Sequence, residues 1–269
     1  MDYKNEQSDL IKKTFTTEGR KFSVNFKDSP DWITQVSVAD RKMNEPKVTR
    51  YLLCNLKSGM TFLDVGAAVG WFTLIGAHMV GSEGKVLAYE PMPSRLELLR
   101  ENVKLNGFEN VSCFPFALSD KDGEAYMEGP GMMRVTEKRT DTPVKTIRFD
   151  SHVRGLNLGR VDIVKIDVEG AELRLLHGMR KTIENNPRIK IVCEVHEEQM
   201  LRYGDDWAHL FEFMSKMGLT GREMGGRIPH WVFSHEERAL HPSGKVPRLV
   251  SHKGMAQRYF KRMRNKLGL

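Results

Sequence analysis

Hydrophobic and polar positions follow two periods along this chain. Short apolar runs occur at Thr61–Val65, Lys85–Tyr89, Val111–Phe116, Val161–Ile166 and Arg188–Val195. Between them, apolar residues recur at helical spacing over Trp71–Met79, Ser94–Leu105, Ala171–Glu184 and Asp206–Met217, with stop signals at Asn106-Gly107, Pro187 and Gly218. Apolar strands separated by amphipathic helices predict an α/β fold, a mostly parallel sheet covered by helices on both faces. Leu219–Glu223 and His230–Ser234 read as a closing strand pair. Ala117–Asp150 breaks the alternation, and its run Val144–Phe149 predicts an additional strand pair on the rim.

The ends of the chain read differently. Lys21–Phe26 and Trp32–Val38 predict a strand pair around the turn-prone Asp28-Ser29-Pro30, followed by a helix over Glu45–Leu56 that stops near Lys57-Ser58-Gly59. Three parts follow: an N-terminal elaboration (1–59), a Rossmann-like domain (60–237) and a basic tail (238–269). The 269 residues carry a formal charge of +7, from 42 Lys/Arg and 35 Asp/Glu. Nine of the Lys/Arg and none of the acids lie after Glu237, so the rest of the chain is slightly acidic and a charge-reading partner should meet the tail. There, Met255, Tyr259, Phe260, Met263 and Leu267 recur at helical spacing with Arg258, Lys261, Arg262, Arg264 and Lys266 on the other flanks, a basic amphipathic helix. It suits a peripheral contact with an anionic membrane or docking on the protein's own surface; RNA is the third reading, since interleaved aromatics are few. Cys54, Cys113 and Cys193 form no CxxC pair, and Met1 to Lys13 hold no apolar h-region. The expectation is a cytoplasmic protein without a disulfide scaffold.

The densest chemistry lies in Asp64-Val65-Gly66-Ala67-Ala68-Val69-Gly70-Trp71-Phe72-Thr73, where a strand enters a glycine turn and then a helix. In open α/β sheets, ligands sit beyond the carboxyl ends of the strands. Gly66 admits close backbone approach. Glu90 ends the next strand, twenty residues after Gly70, where an acid suits a ribose diol. The central glycine of a dinucleotide turn is replaced by Ala68, and Asp64 would repel a pyrophosphate but attract an ammonium and a sulfonium. The turn therefore favours S-adenosylmethionine over NAD. The alternative is a βα turn whose glycines serve packing alone.

These residues carry a resemblance. Asp64-Val65-Gly66-Ala67 with Gly70-Trp71-Phe72-Thr73, then Glu90-Pro91, Leu105-Asn106-Gly107, Ala117-Leu118-Ser119-Asp120 and Lys165-Ile166-Asp167-Val168-Glu169-Gly170-Ala171-Glu172 resemble the FkbM family of S-adenosylmethionine-dependent methyltransferases, over about Leu56 to Phe233. The resemblance implies a class I methyltransferase Rossmann-like fold with a seven-stranded sheet. It also implies methyl transfer to hydroxyl oxygens, often on sugars or polyketide-like metabolites. By the same resemblance Asp64, Gly66, Ala67, Gly70, Phe72, Glu90, Pro91, Ala117 and Asp167 are expected around the cofactor, with the Ala117 amide near the adenine edge. Ala68 is a departure, since the family commonly has Asn there.

Asp167 ends the fourth core strand, and Glu194 and His196 end the fifth on a shared face. If those strands are neighbours, the three converge where an acceptor hydroxyl would sit. His196, with a pKa near the working range, is expected to accept the hydroxyl proton. Alternatively Asp167, Glu194 and His196 hold Mg²⁺ or Mn²⁺, which lowers the hydroxyl pKa. Glu169 and Glu172 also suit a helix N-terminus, where acids are favoured. The expected activity is O-methylation of a sugar, glycan or glycolipid intermediate. RNA methylation and a non-catalytic interaction protein on a methyltransferase fold are the alternatives.

Overall fold

A computed structural model describes residues 10–17, 20–30, 34, 38, 39, 43–129, 134–156, 158–225 and 229–235. The basic tail and its amphipathic helix lie outside the described residues, as does most of Trp32–Val38. No helix among the described residues is long and apolar enough to cross a membrane.

The central sheet contains β3 (Thr61–Val65), β4 (Lys85–Tyr89), β5 (Val111–Phe114), β10 (Ile163–Ile166), β11 (Lys190–Glu194), β12 (Thr220–Glu223) and β13 (His230–Ser234). Its spatial order is β12-β13-β11-β10-β3-β4-β5. β13 runs antiparallel to its neighbours and the other strands are mutually parallel. This is the expected class I methyltransferase sheet. Every residue of β3 and β10 is buried, because both sheet faces are covered. One core packs Leu63, Val164, Ile191 and Phe233 under the later helices; the other packs Phe62, Trp71, Leu74 and Leu99 under the N-terminal half. The chain builds outward from β3 to β5 and then returns to β10, so the order reverses between β3 and β10. A crevice opens there beyond the strand ends.

The N-terminal pairing differs from expectation. β2 (Arg20–Lys27) pairs antiparallel with β1 (Leu10–Thr17), a strand not anticipated, while most of the expected partner Trp32–Val38 lies outside the described residues. The alternating Phe22, Val24 and Phe26 need a partner with its own inward aromatic, and Phe15 supplies it. This hairpin is bolted to the helix Pro93–Leu105. Asn102 accepts from the Lys27 N–H at 2.7 Å, while its amide donates to the Val69 carbonyl in the glycine turn at 2.8 Å.

Ala117–Asp150 also holds more than a strand pair. Pro115 ends β5, and the chain leaves the central sheet to form β6 (Phe116–Leu118). β6 joins β7 (Gly123–Glu128), β8 (Arg134–Thr136) and β9 (Pro143–Ile147) in a four-stranded sheet of order β6-β9-β7-β8. The helix expected over Ala171–Glu184 is two helices, Glu172–Gly178 and Arg180–Glu184. A Cβ on Gly178 would lie 1.9 Å from the Ser119 carbonyl oxygen, so the break falls where the helix meets the end of the second sheet.

Candidate active site

After β3 the chain makes a tight turn in which Gly66, Ala68 and Gly70 all have positive φ, at 79°, 47° and 98°. The N–H groups of Gly66 and Ala67 both donate to the Tyr89 carbonyl at 3.0 Å. A Cβ on Gly66 would sit 1.8 Å from the Asp167 carbonyl oxygen. Gly66 is thus required by the approach of another strand end, in addition to lining the cavity described below. Gly70 and Asp64 lie off the cavity wall. Gly70 starts the helix Trp71–Val80, packed against Leu99. Asp64 is fully buried beneath the turn and accepts from the Thr73 hydroxyl at 2.6 Å.

Glu90 is buried at the end of β4. Its two carboxylate oxygens accept from the Ala68 and Met92 N–H groups, each at 2.9 Å. Burial raises its pKa, and the two backbone donors and nearby Arg95 work against that rise. A carboxylate has about four acceptor positions, so capacity for a diol remains. Glu90 lines a cavity of about 300 Å³ at the reversal point. Gly66, Ala67, Phe72, Pro91 and Ala117 share this wall, with Tyr89 and Phe116 adding aromatic surface. The second sheet supplies the far side through Ala125, Met127 and Thr146.

Asp167, Glu194 and His196 line the same cavity, brought together because β10 and β11 are neighbours. His196 Nε2 faces Glu169 Oε2 at 3.5 Å, and Asp167 Oδ1 and Glu194 Oε1 at 3.8 Å each. Its Nδ1 meets Glu172 Oε1 at 3.0 Å, and the same oxygen accepts from the Gly170 N–H at 2.9 Å. Burial opposes a charge on this imidazole, but the bond to Glu172 and the carboxylates of Asp167, Glu172 and Glu169 push its pKa up to about 10. That differs from the expected pKa near the working range. The surroundings hold a positive charge at this spot, whereas a general base must begin neutral.

The sequence reading missed three residues here. Lys165 is buried at the cavity floor with its ammonium 3.0 Å from Asp167 Oδ2 and 4.8 Å above the Phe72 ring. Burial alone would depress its pKa, yet Asp167, Glu45, Asp64 and Glu194 hold it above the usual lysine range. Burial likewise pushes Asp167 up, but Lys165 and His196 pull it below the ordinary carboxylate range. A lysine inside an apolar strand was the available signal. Glu45 precedes the helix Pro46–Asn55 with φ of 38°, and its Oε2 lies 2.8 Å from His230 Nε2. His230 is the register partner of Glu194 and stands 3.4 Å from its Oε2. Nothing local in the sequence marks the Glu45–His230 pair, which joins residues 185 positions apart.

A family model described as the methyltransferase FkbM domain matches residues 64–225. Hexuronic acid methyltransferase AglP of Haloferax volcanii is 29% identical over 157 residues, covering 56% of this chain and 62% of that protein. Methyltransferase 1 of Beauveria bassiana is 27% identical, covering 44% of this chain and 57% of its own. The chain thus spans about three fifths of the length of these relatives. The crystal structure of methyltransferase FkbM from Methylobacillus flagellatus aligns with a TM-score of 0.45 at 17% identity, over 65% of this chain and 44% of that one.

Two outcomes follow from the geometry. Ala68 occupies the left-handed region, where a Cβ costs about 1–2 kcal/mol and Asn is better tolerated. Ala68→Gly relieves that strain against about 0.5–1 kcal/mol of extra unfolded-state entropy. Denaturant titration should therefore register a gain of about 0.5–1 kcal/mol. His230 has a pKa raised to about 9 from 6.5: burial opposes the rise, and its bonds to Glu194 and Glu45 outweigh it. A folded pKa above the unfolded one gives stability that is complete below pH 6.5 and lost as pH rises through about 9. The stability gap between the protein and its His230→Gln variant should shrink over that window; a gap that widens would contradict the clasp.

Proposed function

The chain belongs to the FkbM methyltransferase family, and we propose that it uses S-adenosylmethionine to methylate a hydroxyl of a sugar, glycan or glycolipid intermediate. The observation that carries this reading is a single cavity lined by the glycine turn, Glu90, Asp167, Glu194 and His196. The donor set suits the cofactor. Glu90 offers a fixed carboxylate to a ribose diol, the Ala117 region offers apolar wall to an adenine, and the acidic cluster favours an ammonium and a sulfonium. Ala68, at the position where the family commonly has Asn, keeps the turn's function by presenting its N–H to Glu90.

When bound, S-adenosylmethionine supplies an electrophilic methyl group and a neutral thioether as leaving group. The chain's own work is to orient the acceptor oxygen and receive its proton. Asp167, held ionised by Lys165, accepts the hydroxyl's hydrogen bond. Glu194, whose pKa is raised by burial and by Asp167 and lowered by the bond to His230, is the better proton acceptor. His196 holds these carboxylates around one point. The hexuronic acid methyltransferase relative supports a sugar acceptor.

The cofactor reading is tested at Glu90. Glu90→Ala should weaken S-adenosylmethionine binding by about 1.5–3 kcal/mol in calorimetry, the value of hydrogen bonds to a charged group. Unchanged affinity in a folded variant removes Glu90 from the site.

The tail is assigned to an anionic membrane surface on its sequence alone. Nine Lys/Arg without an acid, plus an apolar helical flank, give reversible attachment, each cation contributing about 1 kcal/mol near such a surface. The full-length protein should co-sediment with anionic liposomes at low salt, and a chain ending at Glu237 should not. Equal sedimentation of both sinks the membrane role.

A further inference from the structure

We propose that Asp167, Glu169 and His196 bind one divalent cation, Mg²⁺ or Mn²⁺, and that this ion engages the acceptor hydroxyl. The second half rests on the methyl-transfer reading; the first stands without it. One oxygen or nitrogen from each of the three lies within 4.8 Å of the others. The decisive observation is the placing of the His196 ring, which lines the cavity with its side chain 3% exposed. Glu172 Oε1 takes its Nδ1 at 3.0 Å, so Nε2 is the nitrogen left facing the cavity. Nε2 is thereby turned toward the remaining carboxylates, and a proton it carries there is displaced when a cation binds. Its nearest oxygen is Glu169 Oε2 at 3.5 Å, longer than a hydrogen bond, with Asp167 Oδ1 and Glu194 Oε1 beyond it at 3.8 Å.

Three carboxylates converge on one ring nitrogen and call for positive charge between them. A proton on Nε2 supplies a single charge and can bond one oxygen well. A divalent ion bonds several at once at about 2.0–2.2 Å, which sets neighbouring ligands about 3 Å apart, so the 3.5–3.8 Å spacings close by about half an ångström or more. The neighbours are arranged for this. Asp167 gives Oδ2 to Lys165 and leaves Oδ1 facing Nε2. Glu194 gives Oε2 to His230 and turns Oε1 inward, where it balances charge behind the ligands. Glu172 orients the ring through Nδ1, the role that a carboxylate behind a metal-bound imidazole commonly performs. The donor set of hard oxygens and one imidazole suits Mg²⁺ or Mn²⁺ better than a thiophilic ion. A hydroxyl bound to such an ion loses its proton more readily.

The test uses the full-length chain, stripped with chelator and titrated with Mn²⁺ alone by calorimetry and electron paramagnetic resonance. One ion per chain is expected, displaced by excess Mg²⁺. Glu169→Gln and His196→Gln should each raise Kd at least tenfold, with circular dichroism reporting an intact fold. Glu45→Gln, in the neighbouring Glu45, Glu194 and His230 group, should leave Kd within twofold. No uptake at millimolar Mn²⁺ overturns the proposal, as does uptake that survives both ligand substitutions. Loss of uptake in Glu45→Gln with retention in Glu169→Gln also overturns it, by moving the ion to the other group. Because no cofactor or acceptor is present, failure here leaves methyl transfer standing, and failure of S-adenosylmethionine to bind leaves the ion standing.

Discussion

One buried ammonium organises the cavity floor. Lys165 sits in β10 directly across the ladder from Asp64 in β3, and both are sealed between two hydrophobic cores. An isolated ammonium there would be driven to give up its proton. It remains charged because Asp64, Asp167, Glu45 and Glu194 surround it. The dependence is mutual, since removing the lysine would leave several carboxylates clustered in a low-dielectric site. Such an arrangement is a poor source of net stability but a strong specifier of geometry: each carboxylate is held where its neighbour's charge requires it. Asp167 can therefore be ionised and fixed at a strand end, where an unpaired acid would be neutral and mobile.

Backbone strain concentrates around the same floor. Among the described residues, three that are not glycine have positive φ: Glu45, Ala68 and Glu169. All three line the cavity. A left-handed residue with a Cβ persists only where the surroundings over-determine it, and here the determinants are identifiable. Ala68 is held by its N–H bond to Glu90, and Glu45 by the His230 clasp. Glu169 is followed by Gly170, whose own φ is 106° and whose missing Cβ would strike Gln199 at 2.6 Å. The turns after β3 and β10 are thus both forced into unusual shapes, and both present polar groups to one cavity.

How much of this the sequence made legible follows from the range of each interaction. The central strands and helices were readable because their determinants are local: apolar runs, helical spacing, and glycine or asparagine stops. The meeting of Asp167, Glu194 and His196 was legible only on the condition that the fourth and fifth strands adjoin, which the pairing of β10 with β11 supplies. The four-stranded sheet over the cavity was under-read because its strands are short and half polar, three residues each in β6 and β8, below the length at which alternation is visible. The strand β1 was not read because Leu-Ile-Lys-Lys-Thr-Phe-Thr-Thr shows no clean apolar alternation and buries only Phe15. Glu45 and His230 were invisible for a different reason: their pairing depends on the N-terminal segment reaching the antiparallel strand of the sheet, which no local pattern encodes.

That reach gives the N-terminal segment a role in the site beyond covering a helix. Glu45 starts the helix Pro46–Asn55, whose Thr49 accepts the Trp71 indole N–H at 3.0 Å while donating to the Asn44 carbonyl at 2.6 Å. Trp71 opens the helix after the glycine turn, so this contact ties the N-terminal segment to the turn that carries Ala68. The Glu45–His230–Glu194 chain ties it to the acidic cluster. One segment therefore holds both the glycine turn and the acidic cluster through polar contacts. A displacement of the segment would alter the orientation of Glu194 and the placement of the helix behind the glycine turn together. The glycine turn and the acidic cluster are thus both held by a piece of chain outside the central sheet.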